Sequence, residues 1–446
     1  MSRPLSQGRG REMAIDKSAA ARLSMPLPES AARPAEEPDL RWDWLLVCVA
    51  GYLLTAVGRV HQLFPVLETL RPAMLTGFLA IVMYLLDRRE ERRSAPLFVP
   101  ATNYLIAFFI WMVLSVPGSL APGNSFDLVF GNFVKTVLMY LVMAGSVRGL
   151  RDVERLAGVY LLGAAAYAGV VVSRFDVRDG NDWRLGHLYY YDANDFATFA
   201  VTAMPFGLYF LWAGRRTLTR VLAAVGLAVL TVAFIRAGSR GGLLALVGVG
   251  GFIVLRYTAI ALRWRLAATA LVALVLLASA SDRYWEAMRT ILSERDYNFT
   301  EETGRLQVWR RGVGYMLQHP ILGLGPNNFE VAEGTLSPFA VRQQLGIGVR
   351  WTPAHNTYLQ VGAELGVPGL VVFVAIIASA FGVLRRSGRG ARADPQRSPQ
   401  LTQALTASLI GFVVGAIFLS LAYHEILYTL VALAVGLEKV TAEGAE

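Results

Sequence analysis

The sequence is poor in charge, in lysine and in cysteine. Only 17% of its 446 residues are Asp, Glu, Lys or Arg, against roughly 25% in an ordinary soluble domain. With 54% hydrophobic residues, it cannot supply the polar surface that soluble domains of this total length require. A plain cytosolic enzyme is excluded, and a polytopic membrane protein is indicated. The single Cys48 lies in an apolar run, which excludes an internal disulfide and any cysteine-based metal site. No pair of histidines offers a zinc site. Gly323-Leu324-Gly325 lacks the Lys and Ser/Thr of a phosphate-binding loop. Asp192 and Asp195 form one carboxylate pair, which alone is poor evidence for a divalent cation. No metal and no cofactor is expected.

Arginine supplies 39 of the 42 basic residues, and the net charge is +9. This charge sits in short loops between apolar runs, which is the signature of membrane topology and not of a nucleic-acid partner. Residues 1–41 are polar, without an apolar core or cleavage site, and read as a disordered cytoplasmic tail. Apolar spans follow at 43–58, 65–86, 102–117, 126–146, 155–173, 195–213, 218–236, 241–256, 262–280, 355–384, 401–422 and 425–440. Most approach the roughly 20 residues that a bilayer core requires. The expected fold is therefore all-α: nine helices within 42–280, an outer loop domain at 281–354, three helices within 355–440, and a short tail at 441–446. With the N-terminus inside, the five cytoplasmic loops hold 18 arginines and the short outer connections hold 6. That bias fixes the sidedness. Within the long loop, Leu306, Trp309, Val313, Met316 and Leu317 follow helical spacing after Gly304 and before Pro320, predicting an amphipathic helix.

Arginines on the outer side run against the insertion bias, so they are the informative charges. They fall at Arg184 in the loop after span five, at Arg236 and Arg240 flanking a glycine-rich turn, and at Arg305 opening the amphipathic helix. Each has a structural alternative. Arg240 could snorkel to headgroups, Arg305 could face solvent, and Arg184 could pair with Asp176, Asp179 or Asp182. Lys135, a third of the way into span four, could pair with a neighbouring helix or serve a function. Guanidinium groups gathered without a metal suit an anionic substrate, since they bond phosphate oxygens in bidentate fashion.

His355 is the sharpest single residue. Thr352 can cap a helix whose first residue is Pro353, placing His355 in the first turn. The helix dipole there favours the neutral imidazole, which can act as a general base. A histidine bonded to a loop carbonyl is the structural alternative. His319 reads as a helix-end residue, and His424 is assigned to an inner connection.

Taken together, Ser239-Arg240-Gly241, Arg305 with Trp309, Pro320 with Gly323 and Gly325, His355-Asn356-Thr357-Tyr358-Leu359, and Glu364 with Gly366 resemble the O-antigen ligase and O-antigen polymerase superfamily. The resemblance covers residues 180–375 by motif and the whole chain by topology. It implies a metal-independent, inverting glycosyltransferase in the bacterial inner membrane. Such an enzyme moves a glycan from undecaprenyl diphosphate to an acceptor hydroxyl on the periplasmic face. It implies Arg240 and Arg305 as diphosphate ligands, with Arg184 and Arg236 beside them, and His355 as the base that activates the acceptor. Asn356, Trp309, Tyr358 and Glu364 would support them. The aspartates around Arg184 depart from the family pattern. A ligase would use lipid A core or a protein as acceptor, a polymerase a second lipid-linked glycan; the motifs do not separate the two. A transporter would need a midplane site and a repeat between halves, and neither is visible. A scaffold would leave the outer arginines unexplained.

Overall fold

The computed structural model describes residues 41–93, 97–174, 185, 191–279, 282–289, 301–349, 351–388 and 396–442. Among them the regular structure is entirely helical. The principal helices are α1 Trp44–Val57, α2 Pro72–Leu86, α3 Pro100–Ser115, α4 Pro122–Ser146, α5 Leu150–Arg174, α6 Ala193–Ala213, α7 Thr217–Ala237, α8 Arg240–Arg256, α9 Leu262–Ser279, α10 Arg305–Gln318, α11 Phe329–Thr335, α12 Thr357–Ser387, α13 Arg397–Phe418 and α14 Glu425–Ala442. Every apolar run read from the sequence falls on a helix. Six of these helices (α4, α5, α6, α7, α12 and α13) are long and apolar enough to cross a membrane, and α1, α2 and α3 are shorter apolar helices. The tail and Arg184 lie outside the described residues.

The helix ends gather into two opposite faces. One face is locked by arginines from the connections predicted to be cytoplasmic. Arg89 and Arg92 bond Asp43 at 2.6 and 2.5 Å, and Arg92 also pairs with Asp87. Arg148 bonds Asp152 at 2.7 Å, and Arg397 bonds Glu154 at 3.0 Å. Lys439 donates to the carbonyls of Arg92, Gly145 and Val147 at 2.9–3.1 Å. This ammonium has three donors and finds three acceptors, which is what lets it stay buried. Asp43 caps α1 by accepting from the Leu46 N–H. Burial pushes its carboxyl up, but the Leu46 amide and the Arg92 and Arg148 guanidiniums outweigh that and hold it below the ordinary range.

The opposite face carries the long 305–356 segment. The turn between α3 and α4 docks there: the Leu120 N–H bonds Leu324 O at 2.8 Å, and Ser125 bonds Pro326 O at 2.8 Å. On the same face the Leu185 N–H bonds Arg236 O, Arg174 bonds Leu63 O, and Arg59 pairs with Glu425 at 3.4 Å. Glu425 opens α14, so the connection between α13 and α14 lies on this face. The expected inner placement of His424 is therefore wrong: α13 leads away from the arginine-locked face, and its far end meets the long segment. Close helix crossings need small residues. At Gly58 an added Cβ would come within 2.9 Å of Gly163 Cα, where α1 meets α5.

Candidate functional site

Helix α12 is broken near its start, and the break builds the site. Gly366 has φ 68° and ψ −175°, and Pro368 follows. A helical Glu364 carbonyl would accept from residue 368, but proline has no N–H. The freed carbonyls are all taken. Ala363 O accepts from the Leu324 N–H at 2.9 Å and Glu364 O from the Gly325 N–H at 2.8 Å. Leu365 O accepts from Trp111 Nε1 at 2.9 Å, and the Val367 N–H turns to Pro320 O at 2.9 Å. The Pro320–Gly325 stretch thus docks its backbone along the break. Contact is so close that a Cβ on Gly323 (φ 68°) would lie 2.3 Å from Glu364 C.

Glu364 holds the other side of this junction. Its buried carboxylate accepts from the Asn327 N–H at 3.0 Å, the Phe329 N–H at 2.9 Å and the Tyr423 hydroxyl at 2.6 Å. One acid therefore ties the start of α11, the break in α12 and the turn before α14 together. Its contacts are structural: the carboxylate anchors this junction.

The predicted start of α12 is corrected. The helix begins at Thr357, and Asn356 is the N-cap, its Oδ1 accepting from the Leu359 N–H at 3.0 Å. Thr352 does not open it, because the backbone from 354 to 355 is committed elsewhere. Ala354 O accepts from Trp309 Nε1 at 3.1 Å, and the His355 N–H donates to Ser420 Oγ at 2.9 Å. His355 precedes the cap with φ 48°, a left-handed conformation that costs a non-glycine residue about 1–3 kcal/mol and that clusters at functional sites. Thr357 Oγ1 donates to Leu419 O at 2.7 Å and accepts from the Leu421 N–H at 3.0 Å. The 418–421 turn is thus the bed on which His355 sits.

Arg240 approaches the same bed. It is the first residue of α8, after a turn in which Gly238 has φ 58° and Ser239 caps the helix through the Gly242 N–H. The turn lies flat against the bed: a Cβ on Gly241 would be 2.8 Å from Phe418 Cβ. Arg305 opens α10 after Gly304. It is one helical turn from Trp309, whose indole holds the carbonyl preceding His355. Arg240, Arg305, Trp309, His355 and Asn356 are all half-buried. Arg236 ends α7, is exposed, and reaches Val172 O at 3.4 Å. Tyr358 points elsewhere: its hydroxyl bonds Val413 O at 2.9 Å, so its role is to hold α12 against α13.

The amphipathic helix is present as α10, but its buried stripe is Val308, Gly312 and Tyr315, while Val313 and Leu317 are exposed. A charged contact fixes the buried side. Arg311 bonds the buried Glu333 at 2.5–3.0 Å, and Tyr315 donates to the same acid at 2.9 Å. Asp192 is occupied as the N-cap of α6, accepting from the Asn194 and Asp195 amides. Among the described residues no cluster of three His, Cys, Asp or Glu could hold a metal ion. The sequence reading passed over Ser420 and Tyr423, which no motif spacing marks. His424, also on this face, is 3.6 Å from Glu425; burial, with the nearby Arg59 adding to it, pulls its imidazole down to about 4, so it is neutral at pH 7.

A polar cavity of about 280 Å³ adjoins the bed, walled by Asn327, Glu330, Ala354, Gln360, Glu364 and Ser420. A separate apolar cavity of about 420 Å³ lies between α6, α7, α8 and α9. Leu246, Val249 and Ile253 on its wall continue down the helix that Arg240 opens.

No curated protein matches the chain. Residues 225–374 match the family described as O-antigen ligase, and this segment runs from within α7 through α8, α10 and the break in α12. It carries Arg236, Arg240, Arg305, His355 and Glu364, so the resemblance to the O-antigen ligase and polymerase superfamily read from the motifs holds over these residues.

Proposed function

We propose that the chain transfers a glycan from undecaprenyl diphosphate to an acceptor hydroxyl, at the periplasmic face of the bacterial inner membrane. The observation that supports this reading is that the Arg240 turn and the backbone of His355 both rest on residues 418–420, while Arg305 opens the helix whose Trp309 holds the carbonyl preceding His355. The expected twelve crossings, with both termini cytoplasmic, belong to the same proposal. So does the assignment of the arginine-locked face to the cytoplasm, following the positive-inside rule.

The donor's diphosphate lies against Arg240 and Arg305, with Arg236 beside them; Arg184 belongs to this ligand set by the motif resemblance alone. Its isoprenoid chain follows the apolar cavity beside α8. In the transfer step the bond between the anomeric carbon and the diphosphate oxygen breaks, and its electron pair leaves with the diphosphate. Guanidinium groups stabilise that growing charge; loss of one such donor typically costs about 10²–10³ in rate. A His355 imidazole nitrogen takes the acceptor proton as the new carbon–oxygen bond forms, a contribution of roughly 10²–10⁴. Attack opposite the leaving group inverts the anomeric centre. Transfer is independent of divalent metal and survives EDTA; a strict metal requirement would refute that part.

We read the reaction as ligation to lipid A core or to a protein, a reading supported by the match of residues 225–374 to the family described as O-antigen ligase. A polymerase would use the same clamp with a second lipid-linked glycan. Reconstitution with one defined lipid-linked glycan and both acceptors separates them. Extension of lipid A core supports the ligase, extension of the lipid-linked glycan supports the polymerase, and transfer to neither overturns the proposal.

A further inference from the structure

A second polar cavity of about 660 Å³ lies away from the bed, lined by His61, Glu68, Thr69, Arg71, Met74 and Lys135 among others. Its position in the bundle is unusual. Helix α2 has 15 residues, or about 22 Å at 1.5 Å per residue, less than the roughly 30 Å of a bilayer core. It ends at the arginine-locked face, so Arg71 at its start is recessed from the opposite interface. Lys135 lies 11 residues before Ser146, the end of α4 at that same locked face, which is about 16 Å of helix. Both cations therefore sit at a depth where lipid surrounds the bundle.

The surface around them is that of a lipid-facing wall. Met74, Leu75 and Phe78 on α2 and Phe126, Phe130 and Leu138 on α4 are exposed. Arg71 and Lys135 are exposed as well. Neither makes an ion pair among the described residues, and Glu68 is the one acid on the cavity wall. Arg71 is also held at φ 46° and ψ 51°, a conformation costly for a non-glycine residue. Cations at this depth are expensive unless they meet an anion, and by default they mark a functional site. The arginines of the locked face are largely matched to carboxylates; these two are not.

We propose that this recess seats a lipid phosphate: the headgroup of an anionic lipid drawn down between α2 and α4 and held by Arg71 and Lys135. The hydroxyl of Thr69 and the imidazole of His61 complete its polar wall. The exposed apolar side chains of α2 and α4 pack on the lipid's acyl chains. The inference needs a bilayer but not the glycan-transfer reading, and it concerns residues outside the 225–374 match. Two sources carry the same chemistry, an acidic phospholipid and a phosphorylated glycolipid.

The test uses the full-length protein in phosphatidylcholine nanodiscs doped with either phosphatidylglycerol or lipid A, with retained lipid counted by native mass spectrometry. One basic residue near an anionic lipid is worth about fivefold in binding, and Glu68 offsets part of the pair's effect. Wild type should retain an anionic lipid about tenfold over phosphatidylcholine. The double variant Arg71→Gln/Lys135→Gln should lose that preference, each single variant should lose part of it, and Lys135→Arg should keep it. Retention of phosphatidylglycerol alone would identify a phospholipid site, and retention of lipid A alone a glycolipid site. Wild-type protein with no preference, or a double variant with undiminished preference, would overturn the proposal. Binding of an isoprenyl diphosphate, measured in parallel, should be unchanged in these variants; its absence from wild type would count against the transfer reading and not against this site.

Discussion

Glu364→Gln removes one acceptor from a site built wholly of donors. The wild-type carboxylate takes the Asn327 and Phe329 amides and the Tyr423 hydroxyl. A glutamine keeps one oxygen and turns an NH₂ group toward a donor that can no longer be satisfied. Hydrogen bonds to a charged group are worth about 1.5–3 kcal/mol, and a buried unsatisfied donor costs about 1–3 kcal/mol. A weakening of about 2–3 kcal/mol at this junction is expected, which is roughly 30- to 150-fold in local opening. Hydrogen exchange followed by mass spectrometry reads it directly on peptides covering 326–332. Exchange there should accelerate by that factor, while peptides of α4 and α13 exchange as before. Glycan transfer should fall as well, since the same acid fixes the turn beside His355. Tyr423→Phe should give a smaller effect, because it removes one donor and leaves the charge in place. Unchanged exchange at 326–332 in Glu364→Gln would refute the assignment of this residue as the junction's anchor.

Gly366→Ala should be among the most damaging single substitutions, because its Cβ would lie 2.2 Å from Ile321 O at φ 68°; a normal yield of monodisperse, active protein would contradict the break. Arg311→Gln should lower the melting temperature strongly, since it strands the buried Glu333, and breaking a buried pair costs about 3–5 kcal/mol; a melting curve equal to wild type would argue against that pair. The Asp43 and Asp87 carboxyls are both held below their ordinary range, so their contribution is present above the unfolded pKa, near 4, and is lost as pH falls through the lower folded value. Thermal stability should therefore fall steeply below about pH 4, after the loss between about pH 6.5 and 4 that the depressed His424 imidazole contributes, and the limb below about pH 4 should be shallower in Asp43→Asn; an identical limb there in that variant would refute the linkage.

The helices were legible because apolar run length and arginine placement are strong, local signals. The residues of the Arg240 turn and the 355–359 segment were legible because their types are unusual on the side opposite the basic bias. What escaped was set by partners distant in sequence. Helix α12 starts at Thr357 and not Pro353 because Ser420 and Trp309 capture the preceding backbone. The spacing that predicted α10 could not show that the helix packs through Arg311 on the buried Glu333. His424 was put on the wrong face, although Glu425 beside it pairs with Arg59 on the face that carries the long segment. Glu364 was visible as part of a motif, but its work as a three-way acceptor depends on Asn327, Phe329 and Tyr423 arriving together.

The central claim is that guanidinium groups hold the donor while His355 moves the proton. The most direct test measures donor binding and transfer separately in Arg240→Ala, Arg305→Ala and His355→Ala, each reconstituted with a defined lipid-linked glycan. The two arginine variants should lose donor binding, with transfer down by about 10²–10³. His355→Ala should bind the donor as wild type does and transfer almost nothing. Normal transfer by both arginine variants, or a large loss of donor binding in His355→Ala, would contradict the account.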